Sequence, residues 1–491
     1  MESVSNKSCF IRLKESLIDS EKTLLIDKDG LLKQKEAFNI YIGVMNELSS
    51  LIKEDDVCLI APFLKKETII IIAALVSIGA RIIVGDPHQD LNSYLKVISN
   101  KINIDVLVGF EDDRWIIKKG DQSFVLSLSE QQLKFKPREV ASFDKPSFYI
   151  LTSGSTGAAN LVALSEYAFI NHIVREIDDI GPEHTCSYGC APLNHIFGLA
   201  LYLQHLLMGK TIYISNSRNP ALALDIIEKY RCSAIGNVPT FFNMLIEEQN
   251  KKPRDISSFK YGVIAGGGYS KEQFLNIQDK LGISLCSSYG MTEACTVITN
   301  SPVKWPIEER CVGVGKPFPG VDVVFKNENG DIVSDRGEIC FKGYNLMLGY
   351  VENGQINLPV DEDGYFHTGD IGQVDNNGVY HIVDRIKNII IRGGENLSPV
   401  AIKNKIAQIE GIKDVFVTSI PNEKYGEVVV AYLVSDIYKN EEDVLPLLQK
   451  ALLKNEIPYL LIIGSKMPLL SNGKHDRMLI KKLFIDKNAQ K

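Results

Sequence analysis

Tyr149-Ile150-Leu151 runs as an apolar strand into Thr152-Ser153-Gly154-Ser155-Thr156-Gly157. Glycines in such a loop let backbone N–H groups turn toward anionic oxygens, and the hydroxyls add donors without bulk, which is the composition of a phosphate cradle. A Ser/Gly surface turn shares that composition. A second cluster, Gly266-Gly267-Gly268, follows another apolar strand and would let a flat ligand approach the backbone closely; a tight turn is the alternative. Further on, Tyr289, Gly290, Thr292 and Glu293 set an aromatic ring, a hydroxyl and a carboxylate within five positions. These suit adenine, phosphate and magnesium, the last preferring hard oxygen ligands from one or two carboxylates and substrate phosphates. A solvated loop acid is the competing reading of Glu293.

Three more segments carry charge on turns. Asp370 follows Thr368-Gly369, where both of its oxygens could accept from ribose hydroxyls, although turns commonly hold an aspartate. Asp384-Arg385-Ile386-Lys387-Asn388 joins a charged linker to the glycine turn Gly393-Gly394, as a hinge would. Ser471 to Arg477 presents Lys474 on a turn before the amphipathic stretch Met478–Phe484.

The elements that must position these groups follow from apolar rhythm. Val57–Pro62, Arg81–Gly85 and Ile104–Gly109 alternate with helical patterns such as Glu67–Gly79, the signature of layered α/β structure. The stretch 163–284 repeats it, with helices expected at Glu166–Ile180 and Ala221–Arg231 and strands at Thr211–Ile214 and Tyr261–Ala265. From Gly315 to Asp384, short strands are broken by Asn329-Gly330, Asp363-Gly364 and Asn377-Gly378, a β-rich lobe. A new α/β pattern then begins. The expected fold class is α/β: a large N-terminal domain, residues 1–386, of two α/β sheets plus a small β-rich lobe, and a mobile α+β C-terminal cap domain, residues 387–491.

Composition narrows the function classes. At 491 residues, 45% hydrophobic and 23% charged, the chain is long enough for several lobes and interdomain clefts. A net charge of −7 without a long basic run argues against nucleic acid. The nine cysteines show no zinc-site spacing, so reduced thiols are expected, with Cys186 and Cys190 as packed thiols rather than ligands. The polar stretch Met1–Arg12 lacks an export core, and Thr68–Ala80 is too short to span a bilayer, so a cytoplasmic chain without membrane insertion is expected.

Taken in order, these segments resemble the superfamily of adenylate-forming enzymes, which includes acyl- and aryl-CoA synthetases, firefly luciferase and the adenylation domains of nonribosomal peptide synthetases, over roughly Val57 to Arg477. The resemblance implies an AMP-forming acid–thiol ligase: ATP and Mg2+ activate a carboxylic acid as an acyl-adenylate, and the acyl group then passes to the thiol of coenzyme A or another phosphopantetheine. Thr152, Ser153, Gly154, Ser155, Thr156 and Gly157 would line the phosphates. Gly266, Gly267, Gly268 and Tyr289, with Gly290, would hold adenine, and Thr292 would touch the α-phosphate. Asp370 and Arg385 would bind ribose, Glu293 magnesium, and Lys474 the charge that builds in the transition state. Lys387 would be the hinge, and Gly393 and Gly394 would leave room for the pantetheine arm. Where the family's phosphate loop usually continues with proline, lysine and glycine, this chain has Ala159, Asn160 and Leu161.

Pro192 to Gly198 looks like the acid-pocket segment of acyl- and aryl-CoA synthetases, in which His195 would gate the carboxylate; a buried structural histidine is the alternative. Asn237 and Val238, within Asn237–Phe242, and the run Ala294–Ile298 are expected to line the acyl site. No acid lies between Pro192 and Gly209, which argues against α-amino acids, whose ammonium would be buried without a partner. Besides a coenzyme A ligase, two readings stand: a stand-alone ligase loading a separate acyl carrier protein, and a nonenzymatic nucleotide-binding relative.

Overall fold

The computed structural model describes residues 5–17, 21–61, 63–87, 91–129, 131–134, 136–152, 159–176, 181, 184–469 and 475–489. It divides into two compact units: Met1–Asp322 with Phe341–Phe366, and Val323–Cys340 with His367–Lys491.

The first unit contains two nine-stranded sheets among the described residues. At the centre of one, the strands Thr211–Ile214, Cys186–Gly189, Ala234–Asn237, Tyr261–Ala265 and Ser284–Met291 run parallel in that order. Such strands are covered on both faces, which is why they read as continuous apolar runs rather than alternating ones. In the other sheet, Val57–Ile60, Arg81–Val84 and Pro146–Thr152 are parallel, and Pro146–Thr152 turns back antiparallel into Asn160–Ser165. The glycine and hydroxyl loop therefore joins two strands of a hairpin.

The apolar helix appears as Lys66–Ser77, with Thr68 to Ser77 buried throughout. No helix among the described residues is long and apolar enough to cross a membrane. Two expected elements shift. The strand expected from Ile104 forms as Val106–Glu111, because the Asp105 carboxylate accepts from the Val57 backbone N–H at 2.8 Å, tying that turn to the neighbouring strand. The helix expected to reach Ile180 is Glu166–Glu176, and residues 177–180 lie outside the described set. All nine cysteines are buried and none forms a disulfide. Cys186 Sγ lies 3.7 Å from that of Cys232, not against Cys190.

In the second unit, Phe366–Val374 and Tyr380–Arg385 form a hairpin whose register sets Asp370 opposite Arg385. Gly330 and Gly378 have φ of +87° and +76°, the left-handed backbone their turns require. Beyond a short 3-10 turn, Ile386–Asn388, the long strands Ile412–Asn422 and Gly426–Ser435 pair antiparallel, and Leu460–Gly464 joins in parallel. Helices Pro399–Ala407 and Glu441–Ala451 bury Ile402, Ile406, Val444 and Leu448 on one side of this sheet. Helix Arg477–Ala489 buries Ile480 and Phe484 with Val428, Val430 and Leu460. The fold is the expected α/β class with two sheets, a β-rich part and an α+β C-terminal part.

Candidate active site

In an open α/β sheet, ligands bind beyond the carboxyl ends of the parallel strands. Here those ends are Asn237, Ala265 and the Ser288 to Met291 segment, brought side by side by the register Asn237 to Ile264 and Ala265 to Ser288. Gly266 (φ +72°), Gly267 and Gly268 are exposed there, and a Cβ on Gly268 would meet nothing within 4 Å. Gly290 differs. It sits at a register shift against the next strand, and a Cβ there would lie 1.6 Å from the Thr296 carbonyl oxygen, so its bareness serves packing.

Thr292 to Ala294 form a 3-10 turn that buries Glu293. The Tyr350 hydroxyl donates to Glu293 Oε1 at 2.8 Å, and the Met347 N–H donates to the Glu293 carbonyl at 2.8 Å. Burial, reinforced by the Glu293 carboxylate, pushes the Tyr350 phenol well above its ordinary pKa, so it stays a donor. Tyr350 lies on Gly349–Glu352, which pairs with Asn160–Ser165 through Tyr350 and Val162. One phenol thus links the Glu293 turn to the strand leaving the glycine and hydroxyl loop. At the mouth of that loop Thr152 Oγ1 donates to the Asn160 carbonyl at 3.4 Å. Ser153, Gly154, Ser155, Thr156 and Gly157 lie outside the described residues.

Along these strands, reaching Gly236 and Ser288 near their ends, lies a small, partly open cavity of about 50 Å³. Phe197, Ala200, Leu201 and Gln204 of the helix Ile196–Leu207 form one wall, at the i, i+3, i+4, i+7 spacing of a single helix face. The strands supply Ser187, Gly236 and Ser288 opposite. Gly236 lets the ring come close: a Cβ there would lie 3.0 Å from the Phe197 ring, which would have to shift. His195 is the residue immediately preceding that helix, its N–H donating to the Pro192 carbonyl at 3.3 Å. Val297 lines the cavity; His195, Asn237 and Val238 do not. Asn237 turns its amide to Cys190 Sγ at 3.2 Å, and Val238 caps the helix Pro239–Lys251.

In the second unit, Arg385 Nε meets Asp370 Oδ1 at 2.6 Å, with the carboxylate almost fully buried and the guanidinium half exposed. Lys387 sits in the 3-10 turn that follows. Gly393 and Gly394 have φ of +59° and +88°, and the Gly393 N–H donates to the Tyr425 carbonyl at 2.8 Å. Lys474 lies outside the described residues.

The family model of AMP-binding enzymes matches residues 48–351. The chain belongs to that family. It is 30% identical over 397 residues to the acyl-CoA ligase sidI of Aspergillus fumigatus, covering 76% of this chain and 66% of the relative. It is also 30% identical over 346 residues to 2-succinylbenzoate–CoA ligase of Staphylococcus aureus, covering 68% and 67%. Among solved structures it resembles ATP-bound MatB from Rhodopseudomonas palustris, with a TM-score of 0.85 at 23% identity over 98% of this chain and 99% of that one. The o-succinylbenzoate CoA synthetase MenE of Bacillus subtilis, bound to its acyl-adenylate, gives 0.80 at 21% identity over 97% and 98%. The resemblance to adenylate-forming enzymes is thereby borne out, as is the expectation of an AMP-forming acid–thiol ligase.

Motif reading missed Tyr350, Glu176 and Gln204. Tyr350 reaches Glu293 across 57 positions, a contact that only strand pairing creates. Gln204, by contrast, left a trace: it is a polar residue at i+7 from Phe197 in a strongly apolar helix.

Proposed function

We propose that this chain activates a carboxylic acid with ATP and Mg2+ as an acyl-adenylate and then transfers the acyl group to the thiol of coenzyme A. The observation that carries the reading is the joining of the Gly266–Gly268 edge and the Tyr289 to Glu293 turn at the carboxyl ends of one parallel sheet, with a partly open cavity running along the same strands to Gly236 and Ser288. The exposed glycines and Tyr289 fit adenine, Thr292 the α-phosphate, and the cavity the acid, with His195 near its carboxylate. A buried carboxylate oriented by a phenol is a hard oxygen donor of the kind Mg2+ takes together with substrate phosphates, so Glu293 fits that ion. When bound, the ion would neutralise phosphate charge.

Attack of one anion on another requires positive charge at the α-phosphate, and Lys474 is assigned that role. Asp370, oriented by Arg385, would accept from ribose hydroxyls; the loop Thr152 to Gly157 would hold the outer phosphates. Lys387, in the turn between two sheets of the second unit, is assigned the hinge and the boundary between residues 1–386 and 387–491. Gly393 and Gly394 would flank the pantetheine arm. Acid-dependent release of pyrophosphate from ATP and magnesium, followed by thioester formation with coenzyme A, tests the reading. Thioester formation with only a carrier protein would move the acceptor, and no release with any acid would favour a nonenzymatic nucleotide binder.

A further inference from the structure

Gln204 lies on the cavity face of its helix, only 5% exposed, and its Oε1 has no hydrogen-bond partner in the protein. Buried carboxamide oxygens are normally satisfied, so this one calls for a donor from whatever fills the cavity. Turning the amide over would put an N–H2 group in the same place and leave an equivalent demand.

Ser187, on the opposite wall, makes a related offer. His205 Nδ1 is 2.7 Å from the Leu201 carbonyl, which only accepts, so Nδ1 carries the proton and Nε2 is the bare nitrogen, 2.9 Å from Ser187 Oγ. Burial drives His205 down to about 3 and His184 down to about 4, so both imidazoles are neutral at physiological pH. The Ser187 hydroxyl therefore donates to His205 and accepts from His184 Nε2 at 2.8 Å. That direction leaves His184 Nδ1 as a bare acceptor, and this atom is indeed buried without a partner. The Ser187 donor is consumed, while a hydroxyl oxygen retains a second lone pair.

Charge along the lining points the same way. Glu176 contributes to it, and no lysine or arginine does among the described residues. A second carboxylate on the substrate would meet no cation there, a costly burial.

We propose that the acyl pocket recognises a neutral hydrogen-bonding group on the acid, a hydroxyl or carboxamide that pairs with Gln204 beside Ser187, making the substrate a polar-substituted monoacid. This rests on the cavity being the acyl pocket, as argued above. Gln204 is nine positions beyond His195, about 13 Å along a helix axis, so the group sits well away from the reacting carboxylate. A plain fatty acid would leave Gln204 unsatisfied, and a dicarboxylic acid would bring an uncompensated charge.

The test compares acids of matched chain length ending in hydroxyl, carboxamide, methyl or carboxylate, with the full chain, ATP, magnesium and coenzyme A, reading kcat/KM from pyrophosphate release. The hydroxyl or carboxamide acid should exceed its methyl and carboxylate counterparts by about tenfold or more. Gln204→Leu, similar in volume and checked by its melting temperature, should lose that discrimination and accept the methyl acid better. Wild-type preference for the methyl or carboxylate acid overturns the inference without any variant, as does discrimination unmoved in Gln204→Leu. Failure of every acid to release pyrophosphate overturns the activity itself, a separate outcome from turnover with the wrong preference.

Discussion

The Tyr350 hydroxyl donates to Glu293 Oε1 at 2.8 Å and so fixes a buried carboxylate from a strand that is itself paired with Asn160–Ser165. If Glu293 holds magnesium, Tyr350 orients the ligand without touching the ion. Tyr350→Phe should raise the magnesium needed for half-maximal pyrophosphate release by about tenfold, the size of one hydrogen bond to a charged group at roughly 1.5 kcal/mol. Glu293→Gln should remove activity at any magnesium concentration. An unchanged magnesium curve in Tyr350→Phe would separate the phenol from ion binding.

Glycines at the strand ends should respond differently to the same substitution. Gly290→Ala drives a methyl into the Thr296 carbonyl, and overpacking of that kind costs about 1–3 kcal/mol, visible as a lowered melting temperature. Gly268→Ala meets nothing within 4 Å and should melt like the wild type while raising the KM for ATP. Thermal melts and ATP titrations on the two variants check the contrast.

Asn160 pairs with Thr152 in the hairpin whose loop is assigned to the outer phosphates, where the resemblance leads one to expect a lysine. A charged hydrogen bond to phosphate contributes about 1.5–3 kcal/mol, so Asn160→Lys should increase kcat/KM for ATP by at least roughly tenfold. Steady-state kinetics with saturating acid would show it.

Three buried histidines make stability depend on pH. Burial lowers His172 and His205 to about 3 and His184 to about 4, below the ordinary 6.5. Above 6.5 neither folded nor unfolded imidazole is charged, and nothing is lost. As pH falls below 6.5 the unfolded chain binds protons that the folded chain refuses, so stability declines down to about 4 for His184 and about 3 for the others. Each contributes on the order of 1.4 kcal/mol per pH unit within that window. Denaturant melts at pH 7 and pH 5 should show the loss, with a shallower slope in His184→Gln.

The glycine turn of the second unit is assigned to the second half-reaction alone, so changing it should tell the two half-reactions apart. Gly393→Ala should slow thioester formation several-fold more than pyrophosphate release, since the turn is assigned to the thiol arm rather than to ATP. Equal slowing of both steps would argue against that assignment.

Much of this was legible in the sequence because it is local. Tyr261–Ala265 and Thr211–Ile214 were readable as strands from apolar runs bounded by turn residues, and both formed with those limits. The Gly266–Gly268 and Tyr289 to Glu293 segments announced themselves by residue type at strand ends. What escaped depends on pairing between distant strands. Tyr350 acquires its role only when Gly349–Glu352 joins the hairpin, and Asn237 turns toward Cys190 because the strand register puts the thiol within reach. Glu176 reaches the cavity from a helix whose sequence pattern shows only an amphipathic face.

The most direct test of the central claim is acid-dependent pyrophosphate release from ATP and magnesium across fatty, hydroxylated, aryl and amino acids, with Lys474→Ala beside the wild type. The account predicts release with at least one acid, followed by its coenzyme A thioester, and near-complete loss of release in Lys474→Ala. ATP binding without release for any acid, or release undiminished in Lys474→Ala, would contradict it.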